Sequence, residues 1–238
     1  MTSSLKFNRN VTSTKSGNRY SYRDRHTFIL LNAGSGRRSK YYGHKCLFNF
    51  KNKRVIDHQI DVIKRTYGTS SDIIVVTGYK SEKLIKDISG VRIVENLNYE
   101  NLYIAESIRL GINASLKSNI YLIHGDILFS SSFISPPDQE EIYIPVEKQG
   151  KFKKDSIGAI LLEGQVKNLS YGLPIKWCQV TCIPSEKYDT FRKIINSVNG
   201  SLSSFEVLNH LIGKKINIKY FQSPKGKIKE INSIRDTQ

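Results

Sequence analysis

The chain has 238 residues, and 37 Lys and Arg against 21 Asp and Glu give it a formal charge of +16. That length suffices for one large α/β core, while no apolar stretch approaches bilayer-spanning length and the basic N-terminus lacks the apolar centre of a secretory signal. Its three cysteines, Cys46, Cys178 and Cys182, form neither a disulfide framework nor a close-spaced zinc set with the five histidines, so a reducing cytoplasm is the expected setting.

The basic excess is dispersed along the chain. Without a basic motif interleaved with aromatics, it favours solubility and the steering of an anionic small substrate over nucleic acid as the main partner. Residues 1–26 are rich in Ser, Thr, Asn and Arg and show no periodicity. They predict a flexible basic extension, with Tyr20 and Tyr22 as candidate anchors.

Phe28-Ile29-Leu30-Leu31 predicts a buried parallel strand. It breaks into Asn32-Ala33-Gly34-Ser35-Gly36-Arg37-Arg38, where two glycines permit a tight turn and close approach to a bound group. Amides exposed in such a turn can cradle a phosphate, and Arg37, Arg38 and Lys45 follow within reach of the same anion. The spacing is neither the Walker pattern nor the dinucleotide fingerprint, and taken alone it fits a surface turn equally well.

Cys46 to Phe50 predicts a short extended segment, and Val55 to Ile63 has helical spacing. Asp72 to Tyr79 predicts a buried strand ending at Gly78, Ser81 to Ile88 a short helix capped at Ser81, and Val91 to Val94 the next strand. Glu106 to Leu116 then predicts a helix, followed by the strand Asn119 to Ile123 and another glycine, Gly125, with Asp126 after it. In an open parallel sheet ligands gather beyond the carboxyl ends of strands, so these glycine turns are expected on one rim. A carboxylate held there by a rigid strand can take magnesium; an Asx turn is its plainer role.

The second half changes texture. Four successive strands are expected at 141–146, 156–162, 165–169 and 176–183, then helices at 188–198 and 205–212 and a strand at 216–221. This mixed portion, about 140–225, lacks a linker or repeat, so residues 27–238 are expected to form a single domain. Tyr171, Trp177 and Tyr188 could line a wall for a cationic headgroup, with packing as the alternative.

Five motifs together resemble the sugar-phosphate and phosphocholine-type nucleotidyltransferases of the MobA-like NTP transferase superfamily. Gly34-Ser35-Gly36-Arg37-Arg38 with Lys45-Cys46-Leu47 is similar to the signature loop ending Pro-Lys-x-Leu, His44 standing at the proline. Val75 to Glu82 resembles Val-x-Gly-Tyr-x-x-Glu. Asn98-Tyr99, Asn101 and Ser107 resemble the Asn-x-Tyr, Asn and Ser pattern, and Gly125-Asp126 the metal-binding Gly-Asp. Glu230-Ile231-Asn232 through Asp236 resembles the Glu-Ile-Asp-x-x-x-Asp ending of cytidylyltransferases acting on small phosphates.

The resemblance implies a three-layer, GT-A-like, Rossmann-related α/β fold with a mostly parallel mixed central sheet. It implies transfer of a nucleoside monophosphate from an NTP, with CTP favoured, to a phosphorylated small alcohol or sugar phosphate. Arg38 and Lys45 would neutralise phosphate charge and Asp126 would hold magnesium. Asn32, Ala33, Gly34, Ser35, Gly36, Arg37, Gly78 and Tyr79 would contact the nucleotide, and Asn98, Tyr99, Asn101 and Ser107 the nucleotide or acceptor. Asn232 replaces the usual second metal carboxylate by a neutral carbonyl, with Glu230 or Asp236 as substitutes. A homodimer is among the expectations. The alternatives are a nucleotide-sugar glycosyltransferase, for which Gly125-Asp126-Ile127 lacks the second acid of Asp-x-Asp, and a catalytically weakened nucleotide-binding or interaction protein.

Overall fold

Alternation along the first strand sorts the core into two layers. In the computed structural model, which describes residues 25–34, 44–68, 71–86, 88–101, 103–130, 140–150, 152–223 and 227–237, that strand is β1 (His26–Leu31). The hairpin β2 (Asn49–Phe50) and β3 (Lys53–Arg54) leads to α1 (Val55–Tyr67), β4 (Asp72–Thr77), α2 (Ser81–Ile85), β5 (Arg92–Glu95), α3 (Ile104–Ala114) and β6 (Asn119–His124). Next come β7 (Ile127–Phe129), β8 (Ile142–Glu147), β9 (Ile157–Leu162), β10 (Gln165–Tyr171), β11 (Ile175–Trp177) and β12 (Val180–Ile183). After them lie α4 (Tyr188–Ser197), α5 (Ser204–Gly213), β13 (Ile218–Gln222) and β14 (Ile228–Glu230).

Successive side chains of a strand point to opposite faces. Phe28 and Leu30, with Ile73 and Val75, pack under Ile56, Ile60 and Ile63 of α1 and Leu84 of α2. Ile29 and Leu31, with Ile74 and Val76, pack against Ile108 and Ile112 of α3, and the same cluster takes in Phe191 of α4 and Leu208 of α5. The result is an α/β sandwich with helices on both faces of one mixed sheet. Gly111 lets α3 approach: a Cβ there would lie 2.5 Å from the Ile29 side chain.

The sheet runs β11-β9-β10-β13-β8-β12-β6-β1-β4-β5. The last four strands are parallel, and β12 joins them antiparallel to β6. Beyond it β8 forks, meeting β12 at Tyr143 and β11 at Val146 and Glu147, so that β11, β9, β10, β13 and β8 close on one another. The chain moves outward from β1 to β4 and β5, then returns to place β6 on the other side of β1. That reversal makes the β1/β6 boundary a topological switch point, where open α/β sheets bind ligands.

Three expectations change. The single strand at 176–183 is two strands broken at Cys178 and Gln179, with Gln179 at φ +58°. The segment from Cys46 is a 3-10 turn, Lys45–Leu47, before the short β2. Ser81 caps nothing: Lys80 is the N-cap, and the Ser81 hydroxyl instead donates to Glu95 Oε1 at 2.6 Å. No helix among the described residues is long and apolar enough to cross a membrane.

Candidate functional site

A cleft of about 710 Å³ opens beyond the carboxyl ends of β1, β4, β5 and β6. From β1 come Asn32, Ala33 and Gly34; from the following turn His44, Lys45 and Cys46. Tyr79 enters from the end of β4, and Asn96, Tyr99, Glu100, Tyr103 and Ser107 from the β5–α3 connection. His124, Gly125 and Asp126 close it from β6. The glycine turns expected on one rim share it.

Close backbone approach explains the glycines. The Tyr79 amide donates to Ala33 O at 3.0 Å, and a Cβ on Gly78 would sit 2.8 Å from that oxygen. At Gly125 a Cβ would overlap Asn32 Oδ1, so the Asn32 carboxamide occupies the space a side chain would need. Asn32 is buried, and both its amide atoms lack hydrogen-bond partners among the described residues.

Lys45 is aimed by its turn, whose Cys46 plugs into the α1 layer. Its Nζ donates to Asp126 Oδ2 at 2.8 Å, both side chains being less than a fifth exposed. Asp126 stands on the turn between β6 and β7, and two contacts hold that turn. Gln59, buried on α1, donates to His124 O at 2.9 Å and Ile127 O at 2.8 Å. The Ile231 amide donates to Asp126 O at 2.8 Å, continuing the β7–β14 ladder in which Glu230 faces Ile127. This ladder brings Glu230 and Asn232 to the Asp126 turn.

Glu230 is bound to Lys176 at 3.0 Å. Asp236 Oδ2 accepts from the Asn232 and Ser233 amides at 2.9 and 2.7 Å. Partial burial opposes its ionisation, but these hydrogen bonds prevail and hold its carboxyl below the usual range. Burial, helped by the Lys80 charge, lowers the pKa of His44 against the opposing effect of Glu82. Burial likewise lowers the pKa of His124, although the charges of Asp126 and Glu230 both act on it to raise it.

The structure therefore brings together Asn32, Ala33, Gly34, Lys45, Tyr79, Tyr99, Ser107 and Asp126, with Gly78 immediately behind. Asn98 and Asn101 lie on the neighbouring turn, outside the cleft lining. Ser35, Gly36, Arg37 and Arg38 lie outside the described residues. The three aromatics considered for a headgroup wall do not converge: Trp177 and Tyr188 are buried in the core, and exposed Tyr171 packs on Phe205.

Two residues escaped the sequence reading. Asn96, buried directly after β5, donates from Nδ2 to Ser107 Oγ at 3.1 Å and accepts from the Asn98 amide at 3.0 Å. Gln59 lies among Val55, Ile56, Ile60 and Ile63 on the buried face of α1. A polar residue in that apolar stripe was the available signal.

Residues 28–135 match the family described as the MobA-like NTP transferase domain. Among solved structures, a CTP:phosphocholine cytidylyltransferase from Streptococcus pneumoniae superposes with a TM-score of 0.73 at 20% identity, over 89% of this chain and 96% of that one. The inositol-1-phosphate CTP transferase from T. maritima gives 0.70 at 20% identity, covering 90% and 91%. A nucleoside-diphosphate-sugar pyrophosphorylase from Vibrio cholerae RC9 gives 0.70 at 16% identity, covering 88% and 97%. At these identities the likeness is one of fold. No curated protein matches.

Proposed function

Residues 28–135 belong to the MobA-like NTP transferase domain family, and on that premise we propose that the chain is a nucleotidyltransferase that moves a nucleoside monophosphate from an NTP onto a phosphorylated small molecule. The observation carrying this reading is the meeting of Lys45 and Asp126 at 2.8 Å across the β1/β6 switch point, beneath a cleft large enough for a nucleotide.

A phosphate oxygen of the acceptor attacks the α-phosphorus; the bond from that phosphorus to the bridging oxygen breaks, and pyrophosphate leaves with the electron pair. The acceptor phosphate is largely ionised near neutral pH, so the step needs little help from a general base. Lys45 stabilises charge developing on the phosphate oxygens, and Arg38 is assigned the same task from its place in the signature loop. The nucleotide lies over Asn32-Ala33-Gly34, beside Gly78 and Tyr79, with Ser107 and Asn96 behind the opposite wall.

The donor set suits magnesium. Among the described residues nothing donates to Asp126 Oδ1, and the Asn232 side chain makes no hydrogen bond, leaving two hard oxygens on adjoining turns. Among the described residues no group of three or more His, Cys, Asp or Glu could hold a metal, so a magnesium here would need substrate phosphates and water to complete its shell. Asp126 and Asn232 would hold the ion, with Glu230 as the reserve ligand; bound there, it supplies positive charge to the phosphates.

CTP is the favoured triphosphate and a phosphorylated small alcohol the favoured acceptor. The ending Glu230-Ile231-Asn232, similar to that of cytidylyltransferases acting on small phosphates, supports this choice. The sheet that joins the parallel half to the mixed half supports treating residues 27–238 as one domain, and the reading places the protein in the cytoplasm. Asn232 favours one competing reading, a nucleotide-binding protein without transfer activity. Purified protein incubated with magnesium, each NTP and a panel of phosphorylated acceptors should release pyrophosphate for one combination. Nucleotide binding without pyrophosphate from any combination would establish the competing reading.

A further inference from the structure

The two acids nearest the Asp126 turn are each paired with a lysine. Asp126 is bound to Lys45 at 2.8 Å and Glu230 to Lys176 at 3.0 Å, each side chain less than a fifth exposed. Asn232, where a third acid would add charge, brings none. Asp236 spends its carboxylate on the Asn232 and Ser233 amides, so the carboxylate that could take a bare divalent cation, Asp126, already has a cation beside it.

We propose that the Lys45–Asp126 ion pair is a latch that withholds Asp126 from a free divalent cation and opens when a triphosphate takes Lys45. Lys45 has no described hydrogen-bond or ion-pair partner other than Asp126. A divalent cation on the free Oδ1 would share the carboxylate with the largely buried Lys45 ammonium and repel it at close range, which is costly without a further anion. Phosphate oxygens give Lys45 another partner in the same cleft, and the carboxylate is then released. Metal and nucleotide thus raise one another's affinity by the same factor, as linkage requires.

This inference rests on the cleft's assignment to a nucleotide, but its first test needs neither nucleotide nor acceptor. Mn²⁺ binding to the free protein, followed by electron paramagnetic resonance, should be weak in wild type and strengthen about tenfold or more in Lys45→Met, the gain disappearing in Lys45→Met/Asp126→Asn. Lys45→Gln serves should the Met variant fail to fold. The reciprocal test is metal-free triphosphate binding by calorimetry. Asp126→Asn should bind about tenfold tighter than wild type, and the gain should vanish in the Lys45→Met background.

Tight Mn²⁺ binding by free wild type, or no gain in either Lys45 variant, overturns the latch whether or not pyrophosphate is released in the transfer assay. An Asp126→Asn gain that persists without Lys45 also overturns it, because a general loss of negative charge then accounts for the effect. Failure of the proposed function shows instead as absent triphosphate binding in every protein, with the Mn²⁺ result standing by itself.

Discussion

Gly125→Ala tests the site's tightest packing. The added methyl overlaps Asn32 Oδ1 and lies 2.7 Å from Asn32 Cγ and 3.0 Å from Leu31 O. The Leu31 oxygen cannot yield, because it accepts the Gly125 amide, so the Asn32 carboxamide must turn or the β1 and β6 ends must separate. Overpacking of this kind costs about 1–3 kcal/mol. For a domain of this size each kcal/mol lowers the melting temperature by about 2–4 °C, so a loss of about 2–12 °C is expected by circular dichroism. Asn32→Ala removes two buried polar atoms that have no partner among the described residues, at the expense of some packing, and should change stability by less than about 1 kcal/mol. The double variant should recover most of the Gly125→Ala loss, giving a coupling of about 1–2 kcal/mol. A Gly125→Ala protein that melts with wild type, or a double variant destabilised by the sum of the singles, refutes the assigned clash.

Asn232→Asp should lower the magnesium concentration for half-maximal transfer, because a neutral carbonyl becomes a charged ligand; an unchanged titration would remove residue 232 from the metal site. His44 is held below its ordinary value of about 6.5 by burial and the Lys80 charge, so it refuses protons that the unfolded chain accepts. Its contribution is full above about pH 6.5 and is lost as pH falls through the folded value, so thermal stability should drop as pH is lowered from about 6.5, with a shallower drop in His44→Asn. Burial pushes the Cys46 thiol up to about 12 and raises Cys178 and Cys182 as well, so none should react with an aromatic disulfide reagent at neutral pH until denaturant is added. A fast-reacting thiol in the native protein would show that one of the two layers opens.

The parallel half was legible because its strands are continuous apolar runs, each stopped by a polar turn or a glycine, and the turns after β1, β4 and β6 meet at one cleft as their position at strand ends predicts. What was lost lacked a local signal. β7 and β14 are three residues each and exist only as partners of one another, so the ladder that delivers Glu230 to the Asp126 turn has no periodicity to read. The β11–β12 break falls at Gln179, whose left-handed backbone is unmarked by glycine or proline. Asn96 was passed over for Asn98 because β5 runs one residue further than its apolar run, burying Asn96 and leaving Asn98 in the turn.

The β7–β14 pairing also bears on how the protein is made. Ile127, Leu128 and Phe129 leave the ribosome about a hundred residues before Ile228 to Glu230. During that interval the nascent chain can assemble β1, β4, β5 and β6 while an apolar strand edge beside Asp126 stays open, the kind of edge that recruits foreign strands. A ribosome that stalls or terminates in this window releases a product with a nearly complete parallel half and a sticky border where the Asp126 turn should be braced. Such fragments would be targets for holding chaperones, whereas the same turn in the finished protein is covered.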